Sequence, residues 1–348
     1  MPVVEISQID KNFAVDTNIQ REGLQFHDPR LAPFALYGIF YHNGMYRRMP
    51  EDVAKSVSEF VGLQHTYCAG GRVRFITDSP YIAIHAEFGR ACKMSHFPLT
   101  GSRGFDLYRD GIYCKTFVPP WYEEAGFESI YDVPESGMHE YLLHFPTYSE
   151  MSAFYIGLAE GCKIQPAPAY RLKKPVVFYG SSITQGGCSS RPGNAYSNIL
   201  SRRLDVDHIN LGFSGNAKGE IEMAEHIASL DMAAFVSDYD YNAPDAEHLA
   251  ATHERLFRCV RNAHPDIPIL LLPRPKFYPS AEDQQRAAIV RRTYENAVAA
   301  GDRNVYYLSG PELMALCGND GTVDGVHPTD FGFYSMAKAI GDVLEKVL

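Results

Sequence analysis

The sequence lacks several features that mark large classes of protein. No stretch approaches the roughly 18 consecutive apolar residues of a membrane-spanning helix, so we expect no membrane partner. The 348 residues include 32 basic and 42 acidic side chains, which gives a net charge of −10 at neutral pH. Because nucleic-acid binding by phosphate neutralisation needs a basic surface, this acidic balance argues against a nucleic-acid partner.

The sequence also lacks a CxxC pair and the residue pattern of a secretory signal. The seven cysteines are an odd number, are scattered from Cys68 to Cys317 and form no CxxC pair. Such usage is typical of free thiols in a reducing compartment rather than of a disulfide framework. Residues 1–11 contain Glu5 and Asp10 and do not show the pattern of a secretory signal. We therefore expect a cytoplasmic location.

The first half of the chain, residues 1–168, reads as a β-rich domain. It holds many short segments of β-branched and aromatic residues, with turns between them. Arg72–Thr77 and Tyr81–Ala86 alternate polar with apolar residues, which is the period of a half-buried strand, and the turn Asp78–Pro80 separates them. Short strands at this spacing predict an all-β, jelly-roll-like sandwich.

The second half, residues 169–348, shows a different rhythm in which strands alternate with helices. This alternation predicts an α/β domain with a parallel sheet covered on both faces. The predicted strands are Val176–Tyr179, Val206–Leu211, Met232–Ser237, Ile267–Leu272 and Asn304–Leu308, and the predicted helices are Ala195–Leu204, Glu220–Leu230, Ala246–Ala263, Ala281–Ala300 and Phe333–Val347. Such sheets place their functional sites at the carboxyl ends of the strands.

Four polar blocks stand at strand ends or in a late loop of this half. They are GSSITQGG at 180–187, GFSGN at 212–216, DYDYN at 238–242 and DGVHP at 324–328. Together they supply hydroxyls, tight glycine turns, a primary amide and an Asp/His pair. A serine hydroxyl becomes a good nucleophile when a base such as His327 takes its proton, and Asp324 is spaced to orient that imidazole. This set of groups predicts acyl transfer.

Acyl transfer also needs donors for the oxyanion of the tetrahedral intermediate. The backbone N–H of Ser182 is expected at the start of a helix, where such donors are unpaired. The N–H of Gly215 and the side-chain amide of Asn242 are the other candidates.

The order and strand positions of these blocks resemble those of the SGNH (GDSL-like) hydrolases. The resemblance implies a three-layer, flavodoxin-like hydrolase domain with Ser182 as nucleophile, His327 as base and Asp324 as its partner. It assigns Gly215 and Asn242, with the Ser182 N–H, to the oxyanion hole. The family's usual GDS is GSS here, so that Ser181 stands in for an aspartate, and the usual GxND is Asp240-Tyr241-Asn242-Ala243.

The resemblance reaches the first half through Gly104-Phe105-Asp106-Leu107-Tyr108, which matches the GxDLY signature of a β-rich domain that precedes this type of hydrolase. We read this segment mainly as structural. The family resemblance implies a serine esterase that needs no cofactor or metal and acts on short-chain, O-acetyl esters of small molecules or oligosaccharides. The turn at 180–187 is expected to leave a small, exposed nucleophile, which favours short acyl chains.

Two other functions remain open. An acyltransferase would use the same triad with an acceptor alcohol in place of water, and a catalytically silent carbohydrate-binding protein would keep the fold alone. Arg274 and Trp121 are candidate substrate-binding residues, with a surface salt bridge and plain packing as the respective alternatives. A homo-oligomer is possible.

Other motifs are missing. No GxSxG elbow or phosphate-binding glycine loop is present, and the histidines show no HExxH spacing. Four of them are expected at exposed helix or strand-end positions: His208, His226, His248 and His253.

Overall fold

In the computed structural model, residues 18–348 are described, so the expectation about a secretory signal at residues 1–11 lies outside the described part. Between residues 18 and 168, the first half contains twelve strands and three short helices. The strands are β1 Leu24–His27, β2 Ala35–Tyr37, β3 Phe40–His42, β4 Met45–Arg47, β5 Arg72–Thr77, β6 Tyr81–Ala91, β7 Phe105–Arg109, β8 Ile112–Phe117, β9 Gly126–Asp132, β10 His139–His144, β11 Ser149–Ala159 and β12 Ile164–Gln165; the helices are α1 Glu51–Val57, α2 Glu59–Gln64 and α3 Leu99–Ser102.

Ten of these strands form the predicted sandwich, and β3 and β4 pair separately as a hairpin. One sheet has the order β1-β11-β6-β9, and the other has the order β12-β5-β10-β7-β8 with β2 paired to β5. Every pairing within both sheets is antiparallel. Inward-facing residues of the two sheets, such as Phe75, Ile84, Phe105 and Phe154, form one buried core. The predicted sandwich is confirmed, although β5 and the first four residues of β6 are buried on both faces and are not the half-buried strands that their alternation predicts.

The second half has a single parallel sheet with the order β14-β13-β15-β16-β17. Its strands are β13 Val176–Gly180, β14 His208–Gly212, β15 Ala234–Asp238, β16 Ile269–Leu271 and β17 Val305–Tyr307; its helices are α4 Ser182–Gln185, α5 Tyr196–Leu204, α6 Ile221–Ser229, α7 Ala246–Ala263, α8 Ala281–Ala299, α9 Gly310–Leu313 and α10 Asp330–Val347. In chain order this is 2-1-3-4-5, the flavodoxin-like arrangement. The α/β prediction is confirmed.

The sheet is covered on both faces because its strands are apolar on both. In β13, Val177 and Tyr179 join a core with α6, α7 and α8, whereas Val176 and Phe178 join a second core with α5 and α10. Side chains alternate across a strand, so a run of consecutive apolar residues feeds two layers. This gives the three-layer architecture that the sequence predicts.

The two halves share part of their core. Ala54 of α1 and Val61 of α2 are fully buried in the same cluster as α6 and α7, so two helices of the first half complete the α/β core. The buried Arg48 donates to the backbone carbonyls of Asn210 and Gly212 at 3.2 and 2.6 Å. The expected all-β first half is thus interrupted by helices that serve the second half.

This contact also corrects the expectation for the histidines. His208, the first residue of β14, is fully buried, because Arg72 of the sandwich donates to its carbonyl and Gly70 lies against its ring. His253 is buried on α7, where its Nδ1 lies 2.8 Å from the hydroxyl of Thr293. His226 and His248 are half-buried.

Two observations concern the cysteines and the helices of the described residues. All seven cysteines are unpaired; three are buried and four are half-buried. No helix between residues 18 and 348 is long and apolar enough to cross a membrane.

Candidate active site

The first block forms a tight turn between β13 and α4. The side chain of Ser181 caps α4 by accepting a hydrogen bond from the N–H of Ile183 at 3.2 Å, which puts Ser182 at the first helical position. A Cβ on Gly180 would collide with Thr184 Oγ1 and the carbonyl of Asp238, so only glycine fits where β13 meets the helix. The sharp turn directs the Ser182 side chain to the carboxyl edge of the sheet.

Three side chains form a hydrogen-bonded relay at this edge. Ser182 Oγ lies 2.9 Å from His327 Nε2, and His327 Nδ1 lies 2.7 Å from Asp324 Oδ2. The other carboxylate oxygen of Asp324 accepts from the backbone N–H groups of Val326 and His327 at 2.9 and 2.8 Å. Serine and histidine are 145 positions apart in the chain, and the fold brings them together.

The electrostatics of the relay keep Asp324 ionised. Partial burial alone would raise its pKa, but the hydrogen bonds from the His327 ring and the two backbone N–H groups outweigh it and lower the pKa to about 2. A carboxylate opposite Nδ1 holds the proton on that nitrogen and leaves Nε2 as the proton acceptor. Ser182 itself is only 8% exposed, so the expectation of an exposed nucleophile is wrong.

The loops that follow β13, β14 and β15 begin side by side, because Gly180 is in register with both Gly212 and Asp238. Gly215 lies on the β14 loop with φ of +71°, a conformation that favours glycine. The backbone N–H groups of Ser182 and Gly215 have no hydrogen-bond acceptor among residues 18–348.

Asn242, at the end of the β15 loop, bonds to the β14 loop. Its Nδ2 donates one hydrogen to the carbonyl of Phe213 at 2.7 Å and keeps a second hydrogen. The structure thus ties Asn242 to the loop that carries Gly215.

Asp238 lies directly beneath the turn that carries Ser182, and no sequence motif assigned it a role. Its carboxylate accepts from the hydroxyls of Thr184 and Tyr196 at 3.1 and 3.3 Å, and its carbonyl accepts from the N–H of Ser181. Complete burial raises its pKa to about 8, so the carboxyl group is largely protonated at neutral pH. Its place as the acidic last residue of a buried strand was the available signal.

The GxDLY segment binds the loop that leaves the nucleophile turn. Asp106 is fully buried, and one of its oxygens accepts from Arg191 Nη1 and from the Gly193 N–H at 2.9 and 2.8 Å. Its other oxygen accepts from Thr116 at 2.8 Å. Arg191 also donates to the hydroxyl of Tyr108. The motif therefore has a structural role, as predicted, and this role includes holding residues 191–193 of the hydrolase half against the sandwich.

A second contact from the sandwich reaches the relay directly. The ring of His96 lies 5.7 Å from the ring of His327, measured between centroids. The next residue, Phe97, packs in a buried apolar cluster with Tyr148 and Cys188. Burial, with the charge of Asp324 second, raises the pKa of the Cys188 thiol to about 12. His96 was missed because it is distant in sequence from every motif, and Cys188 was missed because the first polar block ends at the residue before it.

The two candidate substrate residues have different surroundings. Trp121 is 67% exposed, so the packing alternative is wrong for it, and Lys93 lies over its ring at 5.2 Å. Arg274 is engaged in ion pairs, with Nη1 at 3.0 Å from Asp283 and 3.2 Å from Glu282. Its side chain is 15% exposed, so the salt-bridge interpretation is confirmed, although the salt bridge is partly buried.

Comparisons with solved structures agree with this fold. A protein from Bacteroides ovatus assigned to the GDSL-like lipases is 28% identical, with a TM-score of 0.82 over 93% of this chain and 98% of that one. The salicylyl-acyltransferase SsfX3 of a tetracycline biosynthetic pathway is 20% identical, with a TM-score of 0.76 over 94% and 99%. A family two carbohydrate esterase from Clostridium thermocellum is 14% identical, with a TM-score of 0.64 over 93% and 98%. The last two similarities establish the fold alone.

Family models match both halves of the chain. The model of the GDSL-like lipase/acylhydrolase family matches residues 173–345, and the model of the GxDLY N-terminal domain of SGNH-type esterases matches residues 24–164. No curated protein sequence matches the chain. The chain therefore belongs to the GDSL-like (SGNH) hydrolases, in the group whose hydrolase domain follows a GxDLY domain.

Proposed function

We propose that this protein is a serine esterase that removes short acyl groups, acetyl foremost, from carbohydrate esters. The observation that carries the proposal is the continuous relay from Ser182 Oγ through the His327 ring to Asp324, with distances of 2.9 and 2.7 Å. Each group stands within proton-transfer reach of the next, which is the first requirement for general-base activation of a hydroxyl.

In the first step His327 Nε2 takes the Ser182 proton while Oγ attacks the ester carbonyl. The imidazolium that forms is stabilised by the Asp324 carboxylate, which stays ionised because of its lowered pKa. The developing oxyanion accepts hydrogen bonds from the free N–H groups of Ser182 and Gly215 and from the second amide hydrogen of Asn242. Removal of one such donor typically costs about 3–4 kcal/mol of transition-state stabilisation.

The tetrahedral intermediate then collapses. His327 gives its proton to the leaving alcohol, and an acyl-Ser182 ester remains. Water enters, His327 takes one of its protons, and the hydroxide attacks the acyl carbonyl. Collapse of the second intermediate releases the carboxylic acid and returns the proton to Ser182. Every proton in this cycle moves through one ring nitrogen, which already faces the hydroxyl.

Packing around the nucleophile supports a short acyl group. The Tyr148 hydroxyl lies 3.4 Å from the carbonyl of Ser182, and Tyr148 packs with Tyr67, Phe97 and Cys188 in a buried cluster. Protein atoms therefore fill the space on this side of the turn. An acetyl group needs little room, whereas a long chain would have to lie along the surface.

An exposed aromatic surface supports a carbohydrate as the alcohol portion. Trp121 and Tyr122 are 67% and 66% exposed, and Lys93 Nζ donates to the Trp121 carbonyl at 2.7 Å. Lys93 belongs to the same loop, residues 92–97, as His96, whose ring contacts that of His327. Aromatic rings that are exposed near an active site offer flat apolar faces on which sugar rings can stack.

Hydrolysis of p-nitrophenyl acetate, butyrate and octanoate by wild type and Ser182→Ala tests the proposal. We expect a rate that falls with chain length and disappears in the variant. Acetate release from an acetylated oligosaccharide should then weaken in Trp121→Ala and persist in Phe40→Ala, which removes an aromatic ring that is 41% exposed on the separate β3–β4 hairpin. Hydrolysis that persists in Ser182→Ala would contradict the role of this serine as nucleophile. An equal loss of acetate release in Trp121→Ala and Phe40→Ala would contradict the role of Trp121 in binding the carbohydrate.

The acyltransferase alternative uses the same acyl-Ser182 and differs only in what resolves it. Adding a candidate acceptor alcohol to the assay separates the two: an esterase continues to release free acid, whereas a transferase diverts the acyl group to the alcohol. A silent carbohydrate-binding protein would show neither product, and its serine would not react with an organophosphonate.

A further inference from the structure

Three potential metal ligands meet beside the relay. A ring nitrogen of His96, the Sγ of Cys188 and a ring nitrogen of His327 all lie within 4.8 Å of one another. They come from three separate parts of the chain: the sandwich loop 92–97, the loop after α4 and the loop before α10. Imidazole and thiolate are the ligands that zinc prefers.

The hydrogen bond to the His327 ring suits metal binding as well as it suits general-base catalysis. Its Nδ1 is held by the Asp324 carboxylate at 2.7 Å, so Nε2 is the nitrogen that can bind a metal. A carboxylate hydrogen-bonded to the remote nitrogen of a histidine ligand orients the ring and raises its basicity. The relay therefore already contains the outer partner that zinc-binding histidines usually have.

The side chains of the other two candidate ligands, His96 and Cys188, are not engaged in other hydrogen bonds in the described part of the chain. Neither the His96 ring nor the Cys188 thiol makes a side-chain hydrogen bond within residues 18–348. Cys188 is buried with Phe97, the neighbour of His96, in one apolar cluster. Its backbone is held at φ of +72°, which is uncommon for a residue other than glycine and fixes the direction of the side chain.

A small contraction would complete the site. In a tetrahedral zinc site, bond lengths of about 2.0–2.3 Å put neighbouring ligand atoms roughly 3.3–3.7 Å apart. The present separations of up to 4.8 Å must therefore shorten by about 1 Å. His96 is an exposed side chain and can supply much of this movement. The fourth position is open to water or to Ser182 Oγ.

We propose that His96, Cys188 and His327 form an inhibitory site for a divalent transition-metal cation, with Zn²⁺ as its best ligand. On binding, the Cys188 thiol releases its proton to solvent and the thiolate sulfur bonds to the metal. His327 Nε2 gives its lone pair to the metal and can no longer accept the Ser182 proton. The cation thereby switches off the relay reversibly, and a chelator restores it.

Direct binding tests the site without any enzymatic readout. Co²⁺ bound to a thiolate gives a sulfur-to-metal charge-transfer band in the near ultraviolet, and titration with Zn²⁺ should abolish it. We expect one site per chain. Removing an outer-shell partner typically weakens metal affinity about 10–100-fold, so losing a direct ligand through His96→Asn or Cys188→Ser should weaken it at least as much.

The matched control is Cys259→Ser, which removes a half-buried thiol of α7. It should bind Co²⁺ and Zn²⁺ as the wild type does. His96→Asn alters an exposed side chain, so it tests the site even if Cys188→Ser folds poorly. Absence of the charge-transfer band in wild type, or equal metal affinity in wild type and both ligand variants, would overturn the proposal.

The inhibitory consequence rests on the proposed esterase function and needs its own assay. Zn²⁺ should inhibit p-nitrophenyl acetate hydrolysis by wild type and Cys259→Ser at concentrations at least about tenfold lower than for His96→Asn. Metal binding without any ester hydrolysis would refute the esterase and leave the site standing. Hydrolysis inhibited equally in all variants would refute the site and leave the esterase standing.

Discussion

Asp106 of the GxDLY segment offers a sharp test of how the two halves are held together. Its carboxylate is fully buried and accepts hydrogen bonds from Thr116 in the sandwich and from Arg191 and Gly193 in the hydrolase half. Replacing it by alanine removes an acceptor from the Gly193 N–H, from the Thr116 hydroxyl and from the Arg191 guanidinium. Because Asp106 and Gly193 are both buried, the loss should be large.

The expected size follows from the burial of this ion pair. Removing one partner of a buried pair typically costs about 3–5 kcal/mol of unfolding free energy, and we expect this cost for Asp106→Ala. Burial raises the pKa of Asp106 despite Arg191, so its charge is itself a net burden in the folded protein. The neutral Asp106→Asn can still accept from Gly193 and should therefore cost only about 1 kcal/mol.

Urea unfolding followed by circular dichroism measures these differences. The matched control is Asp132→Ala, which breaks the solvent-exposed ion pair of the same sandwich with Arg21. Exposed pairs contribute about 0–1 kcal/mol, so this variant should unfold almost as the wild type does. If Asp106→Ala costs no more than Asp132→Ala, the role given to the GxDLY aspartate as a link between the halves is wrong.

Three further predictions concern the hydrolase half. Asp324→Asn removes the charge that orients His327, and kcat for p-nitrophenyl acetate should fall about 10³–10⁴-fold with the fold intact by circular dichroism; an unchanged kcat would exclude Asp324 from the relay. Burial raises the pKa of Asp238 in the folded protein to about 8. Between the ordinary pKa of an aspartate and this value, the carboxyl group ionises in the unfolded chain and stays protonated in the folded one, so the unfolding free energy of the wild type falls as pH rises. Asp238→Asn should therefore match wild type in unfolding free energy near pH 4 and exceed it by up to about 4 kcal/mol at pH 7; parallel pH profiles would refute this. Arg274→Ala should lower unfolding free energy by about 1–3 kcal/mol through its ion pair with Asp283 and leave KM for p-nitrophenyl acetate unchanged, whereas a raised KM at constant stability would make it a substrate residue.

The α/β half was the more predictable part of the fold because its elements are long and strongly patterned. The predicted helix Ala246–Ala263 has the observed bounds, since Asp245 caps its first turn and apolar residues recur on one face. Strands such as β16 are shorter than predicted. An apolar run in the sequence extends beyond the residues that form hydrogen bonds to the neighbouring strands, and those hydrogen bonds define where a strand ends.

The short helices of the first half could not be predicted in the same way. α1 and α2 contain seven and six residues, and their apolar side chains pack against helices more than 150 positions later in the chain. Isolated helices of that length are unstable, so tertiary packing decides their existence. The burial of His208 has the same origin, because Arg72 and Gly70 of the docked sandwich contact it.

Within the candidate site, the predictable residues were those carried by recognisable motifs. Ser182 lies in a motif at a strand end, whereas Asp324 and His327 lie in the late loop before α10, which the fold brings to the same edge of the sheet. His96 and the exposed Trp121 depend on the placement of the sandwich loops, and the surroundings of Cys188 depend on the packing of Phe97 and Tyr148 of the sandwich against it. Local sequence does not encode that placement, because each loop is positioned by contacts with residues far along the chain.

The most direct test of the central claim is to label the protein with a fluorophosphonate and map the modified peptide by mass spectrometry. The hydroxyl activated by the His327 ring should react alone, so we predict one phosphonyl adduct per chain, on Ser182, and none on its neighbour Ser181. Labelling should be lost in His327→Ala. No adduct on Ser182, or an adduct that persists without His327, would contradict the proposal that this serine is the activated nucleophile.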